Sequence, residues 1–431
     1  MRLKDYKENL EKNSLGVERI NVAKGEPLPL SLFLNSNNNI LPSNLIFEET
    51  RNGSNEVIYS WKSEEGLIIE KKHLFNPHDY KINVEISLLN QSDKALTTSL
   101  SIDLFENDSE KGDRYNFIGQ SVKLPEDIDR KSFEDIDATT YSLDGDIKWL
   151  ATENKYFITA LIPKYDGVKH VSARRIGENL ISSSFEHRDI SLSAGETKSF
   201  SYTFYSGPKD LYILKEMGVG LEGAIDMGWF HALAEPLLRF LKFIYSYTGN
   251  YGYAIILVTL IIKVVFFPLS NKSYKSMKGM QKLQPLMNEL KEKHKGNKDQ
   301  MGREVMALYK KHKVNPFSGC LPMVLQIPVF IALYNVLLSA IELRHAPFHF
   351  WILDMSTKDP YYVTPVIMGL TMFLQQKMTP TTPDPMQQKV MMMMPFIFTF
   401  MFMNLPSGLV LYWVVNNVLS IGQQYYILKK T

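Results

Sequence analysis

The sequence has a single cysteine, Cys320, set in an apolar stretch, so neither a disulfide framework nor a cysteine metal site can be assembled. Thiol redox chemistry loses its usual carrier. An imbalance of charge is missing too: 48 Lys and Arg stand against 46 Asp and Glu, a formal net charge of +2 that offers no global attraction to a polyanion. Direct recognition of nucleic acid is not expected. There is no Walker loop and no GxGxxG between a strand and a helix, so no built-in ATPase of those types supplies energy. The start, MRLKDYKENLEKN, lacks the apolar core of a signal peptide or first anchor. If the residues after it work outside a membrane, the native protein is expected to carry an N-terminal anchor ahead of this sequence.

What is present divides in two. Charged, strand-like sequence fills the first half of the 431 residues and long apolar runs crowd the second, which reads as two domains in two solvents. From Leu28 to about Tyr205 the dominant period is two. Ile82, Val84, Ile86 and Leu88 alternate with Lys81, Asn83, Glu85 and Ser87, a strand with one wet face. Similar alternation marks Leu96 to Phe105, Lys155 to Pro163 and Ser199 to Tyr205. Turn chemistry at Asn52-Gly53, Asn90 to Asp93 and Ala194-Gly195 separates such runs, and a large antiparallel sandwich over residues 1–220 is expected. His73, His78, His170 and His187 have no ligand spacing, so packing or surface roles outweigh a metal or sugar site. Trp61, Phe75 and Trp149 read as core.

Residues 228–246 put Leu237, Leu238, Leu241 and Ile244 at helical spacing, with Arg239 and Lys242 on another side. This predicts a helix lying in a membrane interface; an amphipathic helix packed on the β domain is the alternative. Five stretches have the length and apolarity to cross a hydrocarbon layer about 30 Å thick, some with help from their flanks. They are Tyr251 to Leu269, Cys320 to Leu343, Tyr361 to Gln376, Val390 to Met403 and Gly408 to Leu428. Pro328, Pro365 and Pro395 predict kinks. The loop 271–317 is dense in lysine, which by the positive-inside rule makes it cytoplasmic and leaves the first domain outside. Two helical patterns in it, Lys272 to Lys295 and Lys298 to Lys313, predict a projecting hairpin. Its basic surface suits nascent chains, the ribosome or anionic lipid headgroups, or is simply a solvated face.

Lys263 stands in the middle of IILVTLIIKVVFFPL, where a lysine costs about 2.5 to 3.5 kcal/mol at mid-bilayer and is a functional candidate. The one carboxylate in the five stretches, Glu342, stands at the far end of the second, so the expected partner is water, backbone carbonyls or an acidic visitor. Trp413, Asn416, Asn417, Ser420 and Gln424 recur at three- and four-residue steps on the last stretch, a polar stripe to which Thr259, Gln326, Thr371 and Gln375 add. Interhelical hydrogen bonding is the competing reading for each. The methionines at 391–394, 401 and 403 give either core filling or an adaptable apolar surface.

The segments KVNPFSGCLPMVLQIPVFIALYNVL, ELRHAPFHFWILDMSTKDPYYVTPVIMGLTMFLQQKMTPTTPDPMQQKVMMMMPFIFTF and LPSGLVLYWVVNNVLSIGQQ closely resemble the YidC/Oxa/Alb insertases, from about Gly228 to Gln424. The first half resembles the large periplasmic domain of Gram-negative-type members in placement and size. The resemblance implies a periplasmic β-supersandwich without enzymatic activity, then a core over residues 251–431 with five spans and a cytoplasmic helical hairpin. It implies an inner-membrane insertase and folding chaperone that handles nascent membrane proteins alongside the Sec translocon and ribosome, with no cofactor. A hydrophilic groove open to cytoplasm and lipid is implied as well. The match sets the groove cation at Lys263 where most bacterial members have arginine, so charge is kept and bidentate grip is lost. A transporter or channel sharing the wet cavity is the rival reading. An intramembrane hydrolase lacks a histidine in the spans, whose one carboxylate, Glu342, stands at the end of the second.

Overall fold

The computed structural model describes residues 2–11, 14–18, 28–36, 46–76, 79–107, 117–136, 141–165, 169–177, 180–294, 297–312, 321–378 and 385–430. The chain divides into two compact units, Met1–Ile225 and Asp226–Thr431, each considered by itself.

The first unit is built of β1 (Arg2–Lys7), β2 (Gly16–Glu18), β3 (Ser31–Ser36), β4 (Glu48–Asn52), β5 (Glu56–Lys62), β6 (Leu67–Phe75), β7 (Lys81–Asn90) and β8 (Leu96–Asn107), followed by β9 (Gly119–Lys123), β10 (Ile128–Ser132), β11 (Tyr141–Gly145), β12 (Trp149–Glu153), β13 (Phe157–Pro163), β14 (Lys169–Ile176), β15 (Leu180–Leu192) and β16 (Thr197–Pro208). A nine-stranded sheet, in the order β10-β9-β12-β13-β16-β7-β6-β5-β4, faces a five-stranded sheet, β11-β14-β15-β8-β3, and the strand pairings among the described residues are antiparallel. The core lies between them. On β7, Val84, Ile86 and Leu88 are buried against it while Asn83 and Glu85 point to solvent, as a period of two requires. The Asn52-Gly53 turn joins β4 to β5 and the Ala194-Gly195 turn joins β15 to β16, each glycine at positive φ.

Trp149 is fully buried and donates its indole N–H to the Val219 carbonyl, and Trp61 packs against the core. Phe75 departs from expectation: it ends β6 on an uncovered part of the sheet and is 38% exposed. Glu153 is buried beneath Lys209 with Ser121 and Arg130 beside it, which ties the end of β16 to β12 and gives a charged group its compensating partner. α1 (Leu211–Glu216), capped by Asp210, closes the unit.

His170 accompanies Asp144 at the surface, His187 sits among Tyr165, Phe200 and Tyr202, His73 faces inward beside Tyr59, and His78 lies outside the described residues. Burial pushes His187 down to about 4 and His73 down to about 3, with the charges of His170 and Lys71 adding to the effect. Lys71, donating to the Leu30 carbonyl, is pushed down by burial to about 8 and is therefore protonated at pH 7 and at pH 5 alike.

In the unfolded chain a histidine binds its proton near pH 6.5, whereas these two remain neutral while folded. The stability they contribute is complete above that pH and is lost as the pH falls toward the folded values, by up to about 1.4 kcal/mol per histidine per pH unit. Denaturant unfolding of this unit, followed by tryptophan fluorescence in the intact protein, should give a lower midpoint at pH 5 than at pH 7. His187→Phe should narrow the gap, and equal midpoints at both pH values would contradict the assignment.

The second unit is helical: α2 (His231–Thr248), α3 (Tyr251–Val265), α4 (Phe267–Lys293), α5 (Lys298–Lys311), α6 (Leu321–Ser339), α7 (Val363–Met378), α8 (Pro385–Phe402) and α9 (Ser407–Lys430). The buried face of α2, Ala234, Leu238 and Leu241, has α3 and α6 as its helical neighbours, and Lys242 pairs with Glu342 at 2.9 Å. No single described helix is long and apolar enough to cross a membrane; one bent pair, Tyr251–Val265 with Phe267–Leu290, passes the same length and composition criteria together. The expected stretch Tyr251 to Leu269 is divided by a bend. Phe266 leaves helical geometry, Pro268 opens the next helix, and the axis turns by 62°. Pro328 and Pro395 lie inside α6 and α8, but Pro365 falls in the first turn of α7, where a missing N–H breaks no helical bond and no kink follows. Cys320 lies outside the described residues.

Candidate functional site

The bend after α3 changes the meaning of Lys263. In the sequence it stands amid an apolar run; in the structure it occupies the last turn of α3, where the negative end of the helix dipole and unpaired carbonyls favour a cation. Its Nζ donates to Ser420 Oγ of α9 at 2.7 Å. Lys263 follows the start of α3 by 12 residues and Ser420 the start of α9 by 13, depths of about 18 and 20 Å at 1.5 Å per residue, so neighbouring helices bring them level. Among the described residues no carboxylate pairs with the ammonium.

From Ser420 the polar chain continues. Ser420 Oγ donates to the Asn416 carbonyl at 2.7 Å, and the Asn416 side-chain oxygen accepts from Gln326 Nε2 of α6 at 3.2 Å. On an adjoining side, Asn417 Nδ2 donates to Thr371 Oγ1 of α7 at 3.2 Å, Thr371 donates to the Met368 carbonyl, and Gln424 Nε2 donates to the Met378 carbonyl at 2.8 Å. The stripe on α9 therefore serves in large part to bond α9 to three neighbours. Its spacing of three and four residues turns Asn416, Asn417, Ser420 and Gln424 toward that shared interior.

Two expected members stand apart. Thr259 is buried with its hydroxyl committed to the Ile255 carbonyl one turn back, and Trp413 packs its ring among Phe330, Phe398 and Phe402. Gln375 lies one turn beyond Thr371 on α7 and is partly buried. Tyr274 of α4 was not expected: its hydroxyl reaches Ser420 from a lysine-rich segment whose pattern marks only a solvated helix.

The segment between α6 and α7 is densely hydrogen-bonded. Ser407 N and Oγ both donate to the Thr357 carbonyl, at 2.7 and 2.8 Å, and Gly408 N donates to Met355 O. Asp359, fully buried, accepts from Tyr361 N, Thr364 N and Thr364 Oγ1. Burial acts to raise its pKa, but the bonds from Thr364 and Tyr361 together hold the carboxyl below its usual range. Asn250 donates to the Pro347 and Phe348 carbonyls, joining the start of α3 to the same loop.

The family model described as the YidC periplasmic domain matches residues 1–240, and that of the 60Kd inner membrane protein matches residues 243–431. The Membrane protein insertase YidC of Syntrophus aciditrophicus (strain SB) is 47% identical over 441 residues, covering 99% of this chain and 80% of that protein. The chain belongs to the YidC family of membrane protein insertases. The YidC of Geotalea uraniireducens (strain Rf4) is 50% identical over 370 residues, covering 85% of this chain and 70% of that one. A crystal structure of active YidC insertase with the first transmembrane domain resolved is 20% identical, covers 94% of this chain and 82% of that chain, and has a TM-score of 0.43. A transporter or channel finds no support in these relatives, whose names are those of insertases rather than enzymes.

Close helix approach within the helical unit rests on Gly369, where any Cβ would overlap Thr399 Oγ1 of α8, itself fixed by a bond to the Pro395 carbonyl. Gly369→Val should force α7 from α8 and lower the thermal unfolding midpoint in detergent, at a cost of about 1 to 3 kcal/mol. Gly422→Ala on α9, with open space around it, should leave the midpoint unchanged or slightly raised. An unaltered midpoint for Gly369→Val would contradict the close crossing.

Proposed function

We propose that α3, α6, α7, α8 and α9 are five membrane-spanning helices enclosing a hydrophilic groove, and that Lys263 in it draws acidic polar tails of nascent membrane proteins across the bilayer. The observation that carries this reading is an ammonium inside a helical unit, bonded to a neutral hydroxyl and to no described carboxylate. A charge so placed is costly and remains available to an acidic visitor.

The helices are 15, 19, 16, 18 and 24 residues long. At 1.5 Å per residue four of them fall below the roughly 30 Å of a typical hydrocarbon core, so the bilayer beside them thins. Thinning and a polar groove shorten the stretch over which an unpaired peptide group costs several kcal/mol. The α4–α5 hairpin, rich in lysine, then lies in the cytoplasm with the end of α9, and the β unit in the periplasm. Its basic surface suits ribosome, nascent chain or anionic lipid, and the Sec translocon is a further partner of such a machine. α2 lies in the outer interface, turning Phe243 and Tyr247 outward.

On α8, Met392, Met393, Phe396 and Phe400 are exposed, a flexible apolar face against which unlike client helices can repack before leaving into lipid. That face supplies the chaperone part of the reading. Hydrophobic burial of the client helix and, for acidic tails, the membrane potential drive the step.

Proteoliposomes containing the parent protein should insert a single-span client with an acidic extracytoplasmic tail. Lys263→Ala should reduce that insertion by about tenfold, equivalent to one charge-assisted interaction of roughly 1.5 kcal/mol, while Lys263→Arg keeps most of it. Equal insertion by parent and alanine variant would remove the role given to Lys263.

A further inference from the structure

Resting on the proposed role of Lys263, we infer that Ser420 is a positioning residue: it holds the ammonium on the face of α9 through a neutral, replaceable bond, and thereby sets the preference for acidic over neutral tails.

The geometry assigns each part of the serine a task. A hydroxyl has one proton and two lone pairs. The proton of Ser420 is used on its own helix, donated to the Asn416 carbonyl four residues back at 2.7 Å. Both lone pairs are thereby turned away from α9, and Lys263 Nζ donates to the oxygen at 2.7 Å. The Tyr274 hydroxyl of α4 approaches the same oxygen from the hairpin side. Ser420 is 3% exposed, so water does not compete freely for this oxygen.

The chemistry of the partner matters as much as its place. An ammonium has three N–H donors, one of which Ser420 takes; among the described residues no second acceptor takes the others. Had the partner been a carboxylate, a client's acidic side chain would have to displace a buried ion pair, whose separation costs several kcal/mol. Against a hydroxyl the incoming carboxylate forms the stronger, charge-assisted bond, so exchange or joint binding is favourable. A neutral amide in the client has no such advantage over the serine. Ser420 therefore fixes the ammonium at one depth and one azimuth without cancelling its charge. Without the hydroxyl, the four-carbon stem of lysine spreads the charge over several rotamers or turns it toward the nearer helix end.

The test compares two single-span clients that differ only in the tail, Asp in one and Asn in the other, inserted into proteoliposomes by the full chain. The quantity read is the ratio of acidic to neutral insertion. Ser420→Ala should lower the ratio about tenfold, as loss of one hydrogen bond to a charged group predicts. Ser420→Thr, which keeps a hydroxyl able to bond the same carbonyl, should restore it. Lys263→Gln should bring the ratio to one. If Lys263→Gln abolishes the preference and Ser420→Ala preserves it, the positioning role is overturned while the cation keeps its function. Should Ser420→Ala depress both clients equally, the serine is only a packing contact and the inference fails. A preference that survives Lys263→Gln overturns the groove-cation reading together with this one.

Discussion

A positive charge held among apolar helices must find either a counter-charge or a bond to something neutral, and in this chain the second solution organises the helical unit. Lys263 reaches α9 through Ser420, and α9 in turn holds α6 through Asn416 and α7 through Asn417 and Gln424. Each such bond is worth only about 0.6 kcal/mol on average in a membrane bundle. Their sum matters less than their convergence. One helix carries the polar groups for four others, so any shift of α9 alters the surroundings of the lysine at once.

The two ends of α9 differ in how completely their polar groups are used. At its start, the loop after α6 is sewn to Ser407 and Gly408, and Asp359 gathers three hydrogen bonds. Farther along, the buried atoms Gln423 Nε2 and Gln424 Oε1 have no described partner. Buried polar atoms without partners cost about 1 to 3 kcal/mol each, so that end of the helix is the less settled of the two.

Much of the fold was legible in the sequence because each half obeys a simple period. On β7 the alternation of Val84, Ile86 and Leu88 with polar residues matches burial position by position, and Gly53 and Gly195 mark true turns. Phe75 was misread because residue type says nothing about which part of a nine-stranded sheet its partner sheet covers. The helical patterns of the second unit match its helices within a few residues, but hydropathy averages over a bend. It cannot see that Phe266 and Pro268 divide one apolar run into two helices, nor that Pro365 starts a helix rather than kinking one.

The candidate site was legible as a list and not as an arrangement. Helical spacing picked out Asn416, Asn417, Ser420 and Gln424 together, since a single helix fixes their common face. Whether that face meets solvent or other helices depends on contacts across separations such as the 157 residues between Lys263 and Ser420, which no local pattern encodes. Thr259 shows the same limit from the other side: a threonine in an apolar helix can satisfy itself on the preceding turn, as here with Ile255, and so need not belong to the polar stripe at all. The bend at Phe266 then decides what Lys263 is. In a straight span it would be a buried charge at its most expensive depth. In the last turn of a broken helix, near the dipole's negative end and bonded to a serine, it is a charge the protein can hold without neutralising, which is the property that a binding site for acidic chains requires.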